Sequence, residues 1–314
     1  LGDGDKARGF EHAMALFAVV GTVFFLITFF TTRERIVPRV EQASSVGQDL
    51  HDLAGNGPWR VMLVLTILVF ITLALKGGMY VYYFRYYMDE QALAGFLQQV
   101  GFNGLISGID EALRAMGLSG FQWPQDPATS AFSLFSAAGI VFMIIGIAVS
   151  RRFADRFGKR DTFGGALLLA TLFLLAFWFY SPQAVWAVVV SYILHGFFYG
   201  ITTPLLWAMI ADVADYSEWK HHRRATAIIF SAMLCGLKIG LSVGGALVAA
   251  ILAAYGYDAG ATVQHPAVAQ GIRLSVSVFS AIPFLAGIAL LFLYRIDRSM
   301  EIRIEHDLDA RRAA

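Results

Sequence analysis

The chain has 314 residues, 57% of them hydrophobic, 14% aromatic and 15% charged, with a formal net charge of +1. Soluble domains carry about 25% charged residues and lack recurrent apolar runs of membrane length, so composition alone places this chain in lipid. The charge balance says nothing about nucleic acid, but no basic patch stands outside the membrane-flanking loops and no nucleic-acid partner is expected. The single cysteine, Cys235, lies inside an apolar run, which rules out an intrachain disulfide.

The chain opens at Leu1 with a short polar stretch that has neither a basic n-region nor a small-residue cleavage site. This reads as the C-terminal part of a longer chain, with helices missing upstream. A helix needs about 20 apolar residues to cross the hydrocarbon. Seven segments qualify: 10–31, 59–84, 131–150, 162–181, 183–210, 225–255 and 272–294. Helices satisfy their own backbone in lipid, and these runs are too long for barrel strands, so the fold class is all-α: a polytopic helix bundle.

Residues 1–32 read as the last span of an N-terminal bundle, and 33–58, ending in Gly55-Asn56-Gly57-Pro58, as a cytoplasmic linker. Residues 59–295 then form a six-helix bundle interrupted by an external insertion at 88–130, followed by a cytoplasmic tail at 296–314. The insertion carries spaced apolar residues (Phe96, Leu97, Leu105, Ile109, Leu113) that predict one or two short amphipathic helices, a structural cap or a solute-capturing lid. Lys and Arg set the orientation. Arg33, Arg35, Arg39 and Arg60, then Arg151 to Arg160, then Lys220, Arg223 and Arg224, then the tail arginines fall on one side, which is read as cytoplasmic.

Lys76 lies in Lys76-Gly77-Gly78, just before Tyr80, Tyr82, Tyr83, Tyr86 and Tyr87. Its place nearer the external end allows snorkelling into an interfacial tyrosine belt, or an external-side role with Tyr83. Along the fifth span Tyr192, His195, Tyr199, Thr203 and Trp207 recur at helical spacing, a set able to stack on and hydrogen-bond to a sugar. A buried histidine is equally served by a packing role. Pro204 is positioned to kink or break this helix near the midplane.

That span closes in Asp212-Val213-Ala214-Asp215-Tyr216-Ser217-Glu218-Trp219-Lys220. Asp212, Asp215 and Glu218 share a helix face. With Arg151, Arg152 and Arg224 on the same side of the membrane, they read as an acid-on-base latch, a cytoplasmic gate, or else as a solvated helix end.

In the sixth span Lys238 sits mid-membrane, where insertion costs roughly 2.5–3.5 kcal/mol. Its face is Ser231, Cys235, Lys238 and Ser242, while Gly236, Gly240 and Gly244 form a small-residue seam on the other side. One face is expected to pack and the other to look into a cavity. No Asp or Glu lies deep in any span, so the partners of both membrane lysines, and the carboxylates for a coupling cation, are expected upstream of this chain. No phosphate-binding Gly loop, His-Glu-x-x-His, paired cysteines or nucleophile elbow occurs. Neither a metal site nor a catalytic residue is expected in these residues, and the protein is read as a non-enzyme.

At these residues the chain resembles the glycoside–pentoside–hexuronide:cation symporters, a branch of the major facilitator superfamily that includes the melibiose carrier. Leu1 to Gly9 is similar to the family's loop before its sixth helix, and Lys76-Gly77-Gly78 with Tyr82 to Tyr87 to the end of its seventh. Leu206 to Lys220 resembles the acidic motif ending helix ten, and Asp155 to Arg160 the basic loop between helices eight and nine. Lys238, 23 residues beyond Asp215 (238 − 215 = 23), falls at the helix-eleven lysine of the melibiose carrier. The chain departs from the family at His221-His222-Arg223-Arg224-Ala225-Thr226, where a Thr-Gly-x-Arg and a following acid are usual. Its insertion at 88–130 is also longer than the melibiose carrier's.

The resemblance implies helices six to twelve of a carbohydrate symporter of the bacterial inner membrane, driven by Na⁺ or H⁺ and without a prosthetic group. The coupling-ion site would lie in the upstream half. The implied partners are a small carbohydrate and membrane lipid, with the oligomeric state open. A membrane-embedded transferase on a lipid-linked sugar and a non-transporting solute sensor are the rival readings.

Overall fold

The computed structural model describes residues 6–33, 47, 53–115, 117, 126–221, 226–261 and 263–313. Most of the expected linker, together with Arg35, Arg39, Arg223 and Arg224, lies outside them. The chain divides into two compact units, Leu1–Ala43 with Gly101–Trp123, and Ser44–Val100 with Pro124–Ala314.

Among the described residues seven helices are long and apolar enough to span a membrane, matching the seven predicted runs. In the smaller unit, α1 (Lys6–Thr31) is apolar all round, with Phe17, Phe24 and Phe29 all exposed. The larger unit holds the other six spans: α2 (Gly57–Tyr86), α5 (Pro127–Phe157), α6 (Lys159–Ala176), α7 (Val185–His221), α8 (Thr226–Ala254), and a last span made of α9 (Pro266–Leu274) and α10 (Ser280–Leu291).

Local chemistry sets several helix ends. Asn56 accepts the Trp59 N–H at 3.1 Å and Pro58 occupies the first turn, so α2 starts with its orphan donors met. Asp126 does the same for α5 through Thr129, at 2.9 Å. Between α5 and α6 the whole connection is Gly158, at φ +86°, a conformation that needs glycine. The two helices therefore form a tight hairpin inside the Asp155–Arg160 segment.

Two glycine seams then set the packing. On α8, a Cβ added at Gly240 would sit 2.6 Å from the Ile67 carbonyl oxygen of α2, and one at Gly236 would sit 2.8 Å from Leu63 Cδ1. On the α5–α7 pair, Gly139 and Gly146 face Gly196 and Gly200 so closely that a Cβ at Gly146 or Gly200 would overlap a carbonyl oxygen of the other helix. Lipid gives helices no hydrophobic reason to associate, so close backbone approach with dispersion takes that role. The core between the seams holds Leu65, Leu167, Met209, Val213, Met233 and Phe284.

Three features refine the expectations. First, α7 runs unbroken through Pro204. Proline removes only one backbone bond, and buried neighbours hold the rest of the helix. Second, the insertion divides. Its first helix, α3 (Glu90–Gln99), buries Leu93, Phe96 and Leu97, packs on α5 and α7, and joins them through Trp186, whose indole donates to Gln99 Oε1 at 2.9 Å. Its second, α4 (Phe102–Ala115), buries no residue and groups with the smaller unit. Third, the last span widens into a π turn at Ser275–Phe279, just before Pro283. Ser280 Oγ donates back to Ser275 and Thr72 Oγ1 donates to the Ser280 carbonyl at 2.8 Å, so the widened turn is satisfied from within.

The tail forms a helix of its own, α11 (Arg298–Ala313), folded back on α7. Ile304 and Leu308 are buried, Trp219 donates to Asp307 at 2.9 Å, and Arg311 donates to the Trp219 carbonyl. Asp297 caps the helix through the Met300 N–H at 2.8 Å. That bond, with Ser299, holds the Asp297 carboxyl below its ordinary 3.8, and the Trp219 indole does the same for Asp307. Both groups are depressed in the folded state, so their contribution is complete above about pH 4 and lost as pH falls through the folded values. Limited proteolysis in mild detergent should therefore release the tail faster at pH 3 than at pH 6, while the spans stay intact. Equal tail cleavage at both pH values would contradict this clamp.

Candidate functional site

The strongest polar anomaly inside the bundle is Lys76. It leaves α2 one turn before Tyr80, and it points inward, 6% exposed, instead of snorkelling to the external surface. Its ammonium meets His195 Nε2 of α7 and lies 5.0 Å from the centre of the Tyr199 ring. His195, 1% exposed, donates through Nδ1 to the Ala170 carbonyl of α6 at 2.8 Å. A carbonyl oxygen can only accept, so Nδ1 carries the proton and Nε2 is left as the acceptor for Lys76. The rings of His195, Tyr199 and Phe284 lie nearly parallel, with centroids about 6 Å apart. Four helices thus meet around the Lys76–His195 contact, in which the ammonium is faced by a neutral imidazole and a π face.

Within this chain Lys76 meets an imidazole, a partner the sequence pattern does not announce. Sequence periodicity placed His195 and Tyr199 on one face of α7. It carried no sign that α2 would deliver Lys76 to them.

Above Lys76, Tyr80 and Tyr83 continue the same inward face of α2. Both are buried, and neither hydroxyl has a partner among the described residues. Buried hydroxyls of this kind are the sites that ordered water satisfies. The remaining α7 candidates spread out. Tyr192 stacks on Phe135 at 3.6 Å, Thr203 donates weakly to the Tyr199 carbonyl at 3.4 Å, and Trp207 lies parallel to Phe230 of α8 at 6.5 Å. Tyr192, Thr203 and Trp207 are each half-buried.

Lys238 stands apart from this cluster. The glycine face of α8 packs on α2, and the opposite face presents Ser231, Cys235, Lys238 and Ser242, all exposed. The packed glycine face is therefore as the spacing predicted, while Leu234, Ile239, Leu241 and Val243 of α8 are exposed as well. Whatever covers the lysine face is not among the described residues of the larger unit.

At the opposite end of α7, Asp212 meets a base, and that base is Lys159. Its ammonium lies 2.6 Å from Asp212 and 2.7 Å from Glu301 of α11, joining α6, α7 and the tail. Arg151 pairs instead with Asp155 on its own helix, loosely at 3.7 Å, and Arg152 is exposed. Arg224 lies outside the described residues. Gly158 explains the choice: the tight hairpin turns Lys159, the first residue of α6, in under the end of α7, while Arg151 and Arg152 ride two turns back on α5. Asp215 shares a cavity of about 270 Å³ with Lys159, Asp212, Glu301, Glu305 and Asp309. Glu218 is half-buried one turn further along.

Glu301 was not foreseen. The signal was present, since Met300, Ile304 and Leu308 recur every four residues after the last span, the pattern of a docking helix. No group of metal-ligating side chains assembles among the described residues.

The larger unit is thus a bundle of membrane-length helices with a buried lysine–histidine contact and an acid–base cluster at one end. The chain belongs to the family described as MFS/sugar transport protein, matched over residues 1–112 and 126–298. This agrees with the branch of the major facilitator superfamily that the motifs resemble. The chain is 29% identical to the putative glycoside/cation symporter YagG of Escherichia coli (strain K12), over the whole chain and 60% of that protein. It is 29% identical to the inner membrane symporter YicJ of the same strain, over 90% of the chain and 52% of that protein. It is 26% identical to the isoprimeverose transporter of Lactiplantibacillus pentosus, over 99% of the chain and 57% of that protein. The chain spans less than two thirds of the length of each of these relatives.

Proposed function

We propose that this chain is part of a secondary transporter of the bacterial inner membrane that carries a sugar or glycoside together with a cation, by alternating access. The observation that carries the reading is the family match across nearly all of the chain, with relatives named as glycoside or isoprimeverose carriers. On this reading the basic ends of the helices and α11 are cytoplasmic. The Ser231–Ser242 face of α8 lines the solute path, with Lys238 ordering its polar contacts. His195 and Tyr199 act from behind, through Lys76. Lys159, Asp212 and Glu301 form the cytoplasmic gate. The coupling ion is Na⁺ or H⁺, bound by carboxylates outside this chain. Neither the transferase nor the sensor reading has a counterpart among the relatives named above.

Uptake into membrane vesicles tests this. Radiolabelled isoprimeverose and simple β-glycosides should accumulate above equilibrium, chemically unmodified, under an inward Na⁺ or H⁺ gradient, and collapse with the matching ionophore. Binding without accumulation under either gradient, or recovery of a glycosylated lipid, would refute it.

A further inference from the structure

A second cavity, of about 680 Å³, opens where the start of α2, the end of α7 and the turn after α10 meet. Each of the three segments contributes one cation to its wall: Arg60, Lys220 and Arg295. Among the described residues none of the three is paired with a carboxylate, and all three are exposed. The contrast with Lys159, surrounded by acids in the neighbouring cavity, is one of sign. One cavity is acidic, the other basic.

The basic cavity also has a polarity gradient. On α2, Val64 lies one turn deeper into the span than Arg60. On α7, Tyr216 lies one turn deeper than Lys220. After α10, Leu293 precedes Arg295 on the membrane side, and Phe292 and Leu293 are 87% and 63% exposed. In all three segments the charge is at the outer end and the apolar or aromatic residue is one step inward. That is the gradient of a bilayer leaflet, from phosphate to acyl chain. A free phosphate would use the cations but not the apolar wall. A neutral lipid would use the wall but leave Arg60 and Arg295 unanswered and Lys220 met only by the Tyr216 ring, 5.9 Å away.

We propose that this cavity holds an anionic phospholipid, its phosphate between Arg60, Lys220 and Arg295 and an acyl chain along Val64 and Leu293. Basic pockets between transmembrane helices are the usual receptors for such headgroups, and the volume lies in the range of about 300–1,000 Å³ common for ligand sites. The site would fasten the first and last spans of the larger unit to the end of α7 through the lipid. It depends on the membrane placement of the bundle and not on the transport reading.

Native mass spectrometry of the full-length protein tests it, with phosphatidylglycerol and phosphatidylcholine of identical chains. The expected result is preferential retention of phosphatidylglycerol, weakened roughly 30- to 100-fold in an R60Q/K220Q/R295Q variant and unchanged in R114Q. Equal retention of the two lipids by the unaltered protein would overturn the proposal whether or not the triple variant folds. So would full retention of phosphatidylglycerol by a well-folded triple variant, or its displacement by equimolar glycerol phosphate.

Discussion

His195→Leu should be among the most destabilising single changes in the bundle, and Lys76→Met should largely repair it. Removing the imidazole strips the Lys76 ammonium of its only hydrogen-bond acceptor among the described residues while leaving it 6% exposed. Breaking a buried charged contact from one side costs about 3–5 kcal/mol. The reverse change, Lys76→Met alone, leaves only a neutral Nε2 unpaired, at about 1–3 kcal/mol, and removes a charge that was expensive to bury. The double variant removes both polar groups and should melt within a few degrees of Lys76→Met. A thermal-melting cycle in detergent, with the three variants beside the unaltered protein, reads the ordering directly. A His195→Leu protein as stable as Lys76→Met, or a double variant as unstable as His195→Leu, would show that the contact does not exist in the folded protein.

The second large effect concerns the glycine seams. At Gly146 a new Cβ would overlap the Phe197 carbonyl oxygen and lie 3.2 Å from Gly200 Cα, and backbone atoms cannot swing aside as a side chain can. Gly146→Ala should cost at or above the upper end of the roughly 1–3 kcal/mol typical of overpacking, separating α5 from α7. Gly165 on α6 is the control. It is exposed with nothing within 4 Å of a new Cβ, so Gly165→Ala should be neutral or gain up to about 1 kcal/mol from helix propensity. Apparent melting temperatures of the two variants should diverge in opposite directions. A harmless Gly146→Ala would mean the two helices are further apart than described.

The contrast between these two regions explains how much was legible in sequence. The seven spans and the two-faced character of α8 follow from local pattern: apolar length for the first, glycine at every fourth position against Ser, Cys and Lys for the second. Each is a property of one helix. The Lys76–His195 contact is a property of two helices 119 residues apart in sequence, and it depends on which helix α2 meets and at what height. Periodicity gives the face of His195 but not its neighbour. The acid–base cluster at the end of α7 illustrates the same limit. The acidic face of Asp212, Asp215 and Glu218 was readable, but three basic candidates stood nearby, and only the one-residue Gly158 connection decides that Lys159 reaches Asp212. The tail helix is legible only once the every-fourth-residue apolar spacing is counted, because a charged segment after the last span otherwise reads as solvated.

On the proposed function the Ser231–Lys238–Ser242 face of α8 meets water and solute, not acyl chains. Cys235, one turn from Lys238 on that face and exposed, is a native reporter of which it is. In full-length protein with any other cysteine replaced, a charged, membrane-impermeant methanethiosulfonate should label Cys235, and a transported glycoside should slow the labelling. Modification by a lipid-soluble maleimide alone, indifferent to any sugar, would place the lysine face against lipid and contradict the account.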